Sequence, residues 1–237
     1  LVSDEGFRGL VIENRCQGFA LDSKSQILHA EAGAPLARLA RKSAASGSQG
    51  LEWAAGIPGT MGGAIVNNAG AYDGAIADVV RRVTILDQVG AVQELAAEQL
   101  RLSYRASRFR EQQSRAEVIL SADLLLSPES PQLLSDRVAQ YDALRRAAQP
   151  HEPSAGSVFK NPPGLSAAQL IEQAGLKGRR VGDAQVSLKH ANYVVNLRSA
   201  AATDVLQLIE LVKDKVHQLH DVELELEIEL VGEWAHA

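Results

Sequence analysis

The sequence predicts an α+β fold built from two unlike parts, and three observations carry that prediction. Apolar residues recur at helical spacing in some stretches and alternate strictly in others, with no internal repeat. Eight of the 19 glycines crowd between Gly47 and Gly74, a density that points to tight loops rather than regular structure. The run Ser127-Pro-Glu-Ser-Pro131 interrupts two periodic segments and marks the best domain boundary.

The elements follow in order. Ser25-Gln-Ile-Leu-His-Ala30 reads as a short strand. Pro35 opens a helix whose stripe is Leu36, Leu39 and Ala40. Beyond the glycine-rich stretch, Val83–Leu86 and Val92–Leu95 flank Asp87-Gln-Val-Gly90 as a hairpin. Glu117-Val-Ile-Leu120 through Leu126 is a mostly buried strand. Ser130 caps the next helix, Pro131 opens it, and Leu134, Val138, Tyr141 and Leu144 form its apolar face. Ser166-Ala-Ala-Gln169 is a capping box for a short helix ending at Gly175. Asn192-Tyr-Val-Val-Asn-Leu197 is a strand. Thr203 caps a long helix with the stripe Val205, Leu208, Ile209, Val212, Val216 and Leu219. The last element alternates: Val222, Leu224, Leu226, Ile228 and Leu230 on one face, Glu223, Glu225, Glu227 and Glu229 on the other.

A length of 237 residues accommodates one large domain or two small ones, with core enough to need no disulfide or structural metal. A single cysteine, Cys16, excludes a disulfide framework and a zinc ribbon. The net charge of −5 argues against a duplex nucleic-acid binder. No apolar run nears the roughly 20 residues that cross a bilayer, and Leu1-Val-Ser-Asp-Glu-Gly has no signal-peptide character. The cytoplasm is the expected compartment, with neither nucleic acid nor membrane as partner.

Several constellations could carry chemistry. The glycine-rich stretch is neither a P-loop nor a Rossmann fingerprint, but its backbone N–H groups could cradle a phosphate or flat cofactor. Tyr104-Arg105-Ala-Ser107-Arg108-Phe109-Arg110 offers guanidinium groups able to grip a carboxylate. Ala155-Gly156-Ser157-Val158-Phe159 could present the Ser157 hydroxyl at a backbone corner, yet no Gly-x-Ser-x-Gly elbow supports a hydrolase triad with His151, Asp183 or His190. Four glutamates on one face of the last strand normally mean a solvated face. One turned inward would have a perturbed pKa. The six histidines show no metal spacing, and no metal is expected.

In this order the motifs are more specific than each alone. Gly56-Ile-Pro-Gly-Thr-Met-Gly-Gly with Asn68-Ala-Gly-Ala-Tyr72, Tyr104-Arg-x-Ser-x-Phe109, Gly156-Ser-Val-Phe-Lys-Asn-Pro162, Ala174-Gly-Leu-Lys-Gly178 and Leu224-Glu-x-Glu-Ile-x-x-x-Gly232 closely resemble the UDP-N-acetylenolpyruvoylglucosamine reductase (MurB) family end to end. The short link between Phe109 and Glu117 resembles the subtype without a substrate-gating loop. The resemblance implies the second lobe of a PCMH/VAO-type FAD-binding domain over residues 1–128. A MurB C-terminal-like α+β substrate domain would follow over 129–220, and a strand over 221–237 would carry the catalytic glutamate. It implies an NADPH-dependent flavoenzyme of peptidoglycan precursor synthesis that reduces UDP-N-acetylglucosamine enolpyruvate to UDP-N-acetylmuramate.

By the same resemblance Gly56, Ile57, Pro58, Gly59, Thr60, Gly62, Gly63, Asn68 and Gly70 line the FAD, and Arg105, Ser157 and Glu227 are catalytic. Ser157 would be the proton donor, while Arg105 and Glu227 would stabilise the enolate-like intermediate. Asn161, Lys177 and His190 match substrate-binding positions. Two departures touch substrate-diphosphate contacts: Gly182-Asp183 stands where Gly-Gly is usual, and Ala147-Ala148 where a lysine is frequent. The family also has an earlier Gly-Gly-Gly-Ser-Asn-Leu phosphate-binding turn. Leu1 enters just after it, so this chain is expected to be an incomplete fragment that binds FAD poorly. Two other readings stay open: another FAD-dependent oxidoreductase of the same fold, and a non-catalytic UDP-sugar-binding fragment.

Overall fold

Alternating apolar residues build the sheet of the first of two units in the computed structural model, which describes residues 1–114 and 116–234. The units are Ile12–Arg145, and Leu1–Val11 with Arg146–Ala237. In the first, β1 (Phe19–Asp22), β2 (Ile27–Glu31), α1 (Leu36–Ala45) and β3 (Ser48–Gln49) lead into the glycine-rich region. That region contains α2 (Met61–Val66), β4 (Gly70–Ala71), β5 (Gly74–Ala75) and α3 (Ile76–Val79). Then come β6 (Val80–Leu86), β7 (Val92–Ala96), β8 (Val118–Leu125), β9 (Ser127–Pro128) and α4 (Pro131–Ala148).

Five of these strands form an antiparallel sheet in the order β1-β2-β8-β6-β7. Leu28, Ala30, Val83, Ile85, Ala122 and Leu124 point from it into the core, joined by Leu36, Leu39 and Ala40 of α1 and by Met61 and Ile65 of α2. Each large apolar side chain buried this way stabilises the fold by about 1.5–3 kcal/mol. The opposite face carries a charged row: His29 Nδ1 to Asp123 Oδ1 at 2.7 Å, Arg82 Nη2 to Asp123 Oδ2 at 2.6 Å and Arg82 Nη1 to Glu94 Oε2 at 3.0 Å. Burial acts to raise the Asp123 pKa, but hydrogen bonds from His29 and Arg82 outweigh it and leave it below the usual range.

The second unit contains β10 (Ser154–Ser157), α5 (Ala167–Gln173), β11 (Arg180–Val181), β12 (Ala184–Val186), β13 (Tyr193–Asn196) and α6 (Ala202–His220). Its antiparallel sheet runs β10-β13-β12-β11. Leu208, Ile209, Val212 and Val216 of α6 are fully buried in its core with Ile171, Ala184 and Val186.

Four expectations change. The glycine-rich stretch is not all loop, because Gly62 and Gly63 lie inside α2. A Cβ on Gly62 would stand 3.1 Å from the Ala32 Cβ, so the missing side chain lets this short helix press against the chain beside it. The two compact units divide after Arg145, so Ser127–Pro131, read as the best boundary, lies inside the first. Ser127–Pro128 pairs with Ser48–Gln49, and Leu134 and Val138 of α4 are buried in the first core. The first eleven residues belong to the second unit, since Asp4 rather than Thr203 caps α6. Its Oδ1 accepts from Ala202 N at 2.8 Å and its Oδ2 from Thr203 N at 3.0 Å. Finally, the last segment is extended but makes only bridges among the described residues, Phe159 with Leu226 and Val2 with Val231.

Candidate functional site

In the first unit the glycine-rich loop is stitched to the segment before α1. Leu36 N donates to Gly59 O at 3.0 Å, Met61 N to Ala34 O at 2.9 Å and Gly62 N to Ala32 O at 2.8 Å. The loop's outer surface is bare backbone. Gly59 has φ +110°, a conformation that favours glycine, and a Cβ there would meet nothing within 4 Å. At Gly63 only Thr60 Oγ1, at 3.8 Å, would be near. Pro58, Gly59 and Gly63 are exposed, while Gly56, Ile57, Thr60, Gly62 and Gly70 are half-buried. Such a ledge admits a flat ring system or a diphosphate to van der Waals distance of the main chain, as FAD binding requires.

Arg105 is bound to that ledge. Ser103 and Ala106 exchange two backbone hydrogen bonds of 3.1 Å, leaving Tyr104 and Arg105 as the turn between them. Arg105 takes φ +51°, where glycine or asparagine is usual and most side chains cost about 1–2 kcal/mol. Its Nη2 donates to Gly70 O at 3.0 Å. The Asn68 side chain, 7% exposed, braces the turn: Nδ2 donates to Ser103 O at 2.9 Å and Oδ1 accepts from Ala77 N at 3.0 Å. Ser107 Oγ donates to Val66 O at 2.6 Å, and Arg110 is bonded to Asn67. Asn68, expected as a cofactor contact, therefore sits beneath the ledge with its amide engaged by the protein.

In the second unit Ser157 ends a bulged strand. Ser154 pairs with Val195 and Ser157 with Tyr193, so Ala155 and Gly156 both stand opposite Val194. Gly156 absorbs the bulge at φ +84°. A bulge re-aims the next side chain, and here that side chain is Ser157. The chain's last segment runs alongside residues 158–160: Glu227 N donates to Val158 O at 2.8 Å and Lys160 N to Glu225 O at 2.8 Å. Glu223, Glu225 and Glu229 are exposed; Glu227, at a bend, is half-buried. The structure thus distinguishes it from the other three glutamates.

His190 lies on the loop before β13, its ring edge-on to Tyr193 with centroids 4.9 Å apart. Asn192 N donates to His190 Nδ1 at 3.3 Å, which places the neutral ring's proton on Nε2. Burial lowers the His190 pKa, and Lys177 nearby lowers it further, so near neutral pH the ring is an uncharged donor. Lys177 Nζ pairs with Glu172 at 2.8 Å, and Asn161 Oδ1 accepts from Ala167 N at 3.0 Å as α5 begins. Sequence reasoning missed Asn192, 4% exposed, whose amide bonds both sides of the Phe159 peptide group pair. A polar residue opening an otherwise apolar strand, Asn192-Tyr-Val-Val, was its signal.

Residues 1–96 match the family model of an FAD binding domain, and residues 149–231 that of the UDP-N-acetylenolpyruvoylglucosamine reductase C-terminal domain. The chain is 44% identical over 241 residues to the UDP-N-acetylenolpyruvoylglucosamine reductase of Synechococcus sp. (strain RCC307), spanning 100% of this chain and 78% of that protein. It is 42% identical over 234 residues to the enzyme of that name from Clostridium tetani (strain Massachusetts / E88), spanning 98% and 75%. Its fold is similar to the crystal structure of UDP-N-acetylenolpyruvylglucosamine reductase (MurB) from Thermus caldophilus, with a TM-score of 0.77 and 38% identity over 86% of this chain and 72% of that one.

Proposed function

Because the chain belongs to the UDP-N-acetylenolpyruvoylglucosamine reductase family, we propose that it reduces UDP-N-acetylglucosamine enolpyruvate to UDP-N-acetylmuramate, with FAD as hydride carrier and NADPH as hydride source. The observation that supports this reading is that the segment carrying Glu227, far from Ser157 in sequence, is bonded to the residue that follows Ser157, Glu227 N donating to Val158 O at 2.8 Å. Bound FAD would supply a hydride to C3 of the enolpyruvyl group. The residues that would hold it are the backbone ledge of Gly56, Ile57, Pro58, Gly59, Thr60, Gly62, Gly63 and Gly70, with Asn68 supporting it from below.

Addition of hydride at C3 leaves an electron pair at C2, spread onto the carboxylate. A guanidinium such as Arg105 can take both carboxylate oxygens in parallel hydrogen bonds, and fixed charge of this kind in a dry site contributes several kcal/mol. Glu227 helps only if its carboxyl is protonated or hydrogen-bonded, since a bare carboxylate would repel the developing charge. Ser157 Oγ gives its proton to C2, completing the addition of hydride and proton across the double bond, and recovers one from water. A hydroxyl is a weak acid, but the carbanion beside it is a strong base. His190 as an uncharged donor and Lys177 as a cation suit the substrate's diphosphate or carboxylate, and Asn161 an adjoining polar group. Among the described residues no helix is long and apolar enough to cross a membrane, and we place the reaction in the cytoplasm.

The test is to load the purified chain with FAD and follow NADPH oxidation with and without the enolpyruvyl UDP-sugar, identifying the product by mass. Substrate-dependent oxidation that yields a product heavier by two hydrogens is expected. A flavin-loaded chain that oxidises NADPH and leaves the UDP-sugar unreduced would point to a different oxidoreductase. UDP-sugar binding without flavin uptake would point to a binding module.

A further inference from the structure

The Phe159 peptide is bonded on both edges, and the two edges lead to Ser157 and Glu227. On one edge, Phe159 N donates to Asn192 Oδ1 at 2.9 Å and Asn192 Nδ2 donates to Phe159 O at 2.7 Å. Val158 N also donates to Asn192 O at 2.9 Å. On the other edge, Val158 O accepts from Glu227 N, and Lys160 N donates to Glu225 O, each at 2.8 Å. β13 begins only at Tyr193, so on that edge β13 offers no backbone partner to Phe159. The Asn192 amide, with one acceptor and one donor at the right separation, substitutes for the missing peptide. It has no slack: Asn192 is 4% exposed and Phe159 1%.

We propose that Asn192 is a positioning residue for the reaction, its side-chain amide holding the Phe159 peptide and thereby keeping Ser157 and Glu227 in one register. The proposal rests on the reading above that these two residues do the proton and charge work. Ser157 stands at the end of a bulged strand, and the Glu227 segment pairs through bridges rather than a full ladder. Removing the amide leaves the Phe159 N–H and C=O buried without partners, and the chain can recover water for them only by lifting off Asn192. That loosens the segment that presents Val158 O, the acceptor of Glu227 N. Asn192 N also donates to His190 Nδ1, so the same residue connects the His190 loop to the strand.

The experiment measures amide hydrogen exchange in the full chain, comparing wild type with Asn192→Ala and Asn192→Asp, and then turnover of the flavin-loaded protein. In Asn192→Ala, protection of the Phe159 and Glu227 amides is expected to fall about tenfold or more, while Leu208 and Val212 of α6 keep theirs. The carboxyl introduced by Asn192→Asp can accept from Phe159 N at any pH but donate to Phe159 O only when protonated. Protection in that variant should therefore recover as pH is lowered, and Asn192→Ala should show no such recovery. Turnover in Asn192→Ala should fall about tenfold or more, with KM and the rate of flavin reduction by NADPH close to wild type. Unchanged protection at Glu227 would overturn the proposal. So would equal loss of protection throughout α6, which would make Asn192 an ordinary structural residue, or unchanged turnover in Asn192→Ala. If wild type leaves the enolpyruvyl UDP-sugar unreduced, it is the functional reading that fails. The exchange data then decide by themselves whether Asn192 holds the two residues together.

Discussion

The two units hold the side chains proposed to act in opposite ways. In the first, the proposed residue itself is in the left-handed conformation: Arg105 at φ +51°. In the second, the left-handed conformation falls on the residue beside it, Gly156 at φ +84°, and Ser157 follows in ordinary extended structure. A glycine accepts that backbone without steric cost, whereas an arginine is destabilised by it. Strain of this kind persists only where surrounding structure over-determines it, and Asn68, Ser107 and the Gly70 carbonyl do so around Arg105. Both units use a buried asparagine amide as the brace, Asn68 against Ser103 O and Ala77 N, Asn192 against Phe159. A side-chain amide supplies one donor and one acceptor to backbone that has left its ladder, which apolar packing cannot do.

The largest effect that tests this contrast comes from the chemistry. Ser157→Ala should lower turnover about 10²–10⁴-fold, the range of a lost proton donor, without slowing flavin reduction by NADPH. Stopped-flow absorbance separates the two half-reactions, and equal loss in both would remove Ser157 from its assigned step. Next is the brace. Asn68→Ala leaves Ala77 N and Ser103 O without their side-chain partner and should cost about 1–3 kcal/mol in urea unfolding. Turnover should fall with it as Arg105 loosens. A variant as stable as wild type would show the 103–106 turn to be self-supporting.

The strain itself gives a reciprocal pair of smaller size. Arg105→Gly relieves a left-handed cost of about 1–2 kcal/mol. The extra freedom of unfolded glycine returns about 0.5–1 kcal/mol of it. The variant should therefore be more stable than Arg105→Ala by about 0.5–1 kcal/mol, and equally inactive. Gly156→Ala runs the other way. A Cβ there meets nothing within 4 Å, so any destabilisation comes from backbone conformation alone. It should lose about 1 kcal/mol. The two variants moving in the same direction would break the contrast between the units.

Much of the architecture was readable from periodicity. Most of the α6 stripe, the α1 face and the 80–96 hairpin follow from spacing that the core then uses, although Leu219 at the end of α6 is exposed. What could not be read is mostly hydrogen bonding between residues distant in sequence. Nothing near Phe159 announces that Asn192 will replace a strand, and nothing near Asn68 that it will hold Ser103. The β1 strand was missed because its alternating burial is shallow, with Phe19 and Leu21 only half-buried on a sheet edge. The four glutamates looked equivalent because alternation assigns them one face. A bend at Glu227 separates them, and a bend leaves no trace in period-two spacing.

The smallest predicted effect tests the reassignment of the first eleven residues. Asp4 reaches the start of α6 from the other end of the chain, and its carboxylate accepts from Ala202 N, Thr203 N and Thr203 Oγ1. Those backbone N–H groups hold its pKa below 3.8, the Ala202 bond foremost. A carboxyl depressed by folding contributes stability that is complete above its unfolded value and is lost as pH falls through the lower folded one. Acid unfolding of wild type should therefore show a component setting in below about pH 3.8 that Asp4→Asn lacks, since the amide does not titrate. Melting temperature measured against pH for both proteins supplies the comparison, with the curves expected to converge as Asp4 protonates. Parallel curves through the acid range would mean that α6 is capped without Asp4, and that the opening residues are held to the second unit by their bonds to the 229–233 segment, among them Ser3 N to Val231 O and Val231 N to Leu1 O, each at 2.9 Å.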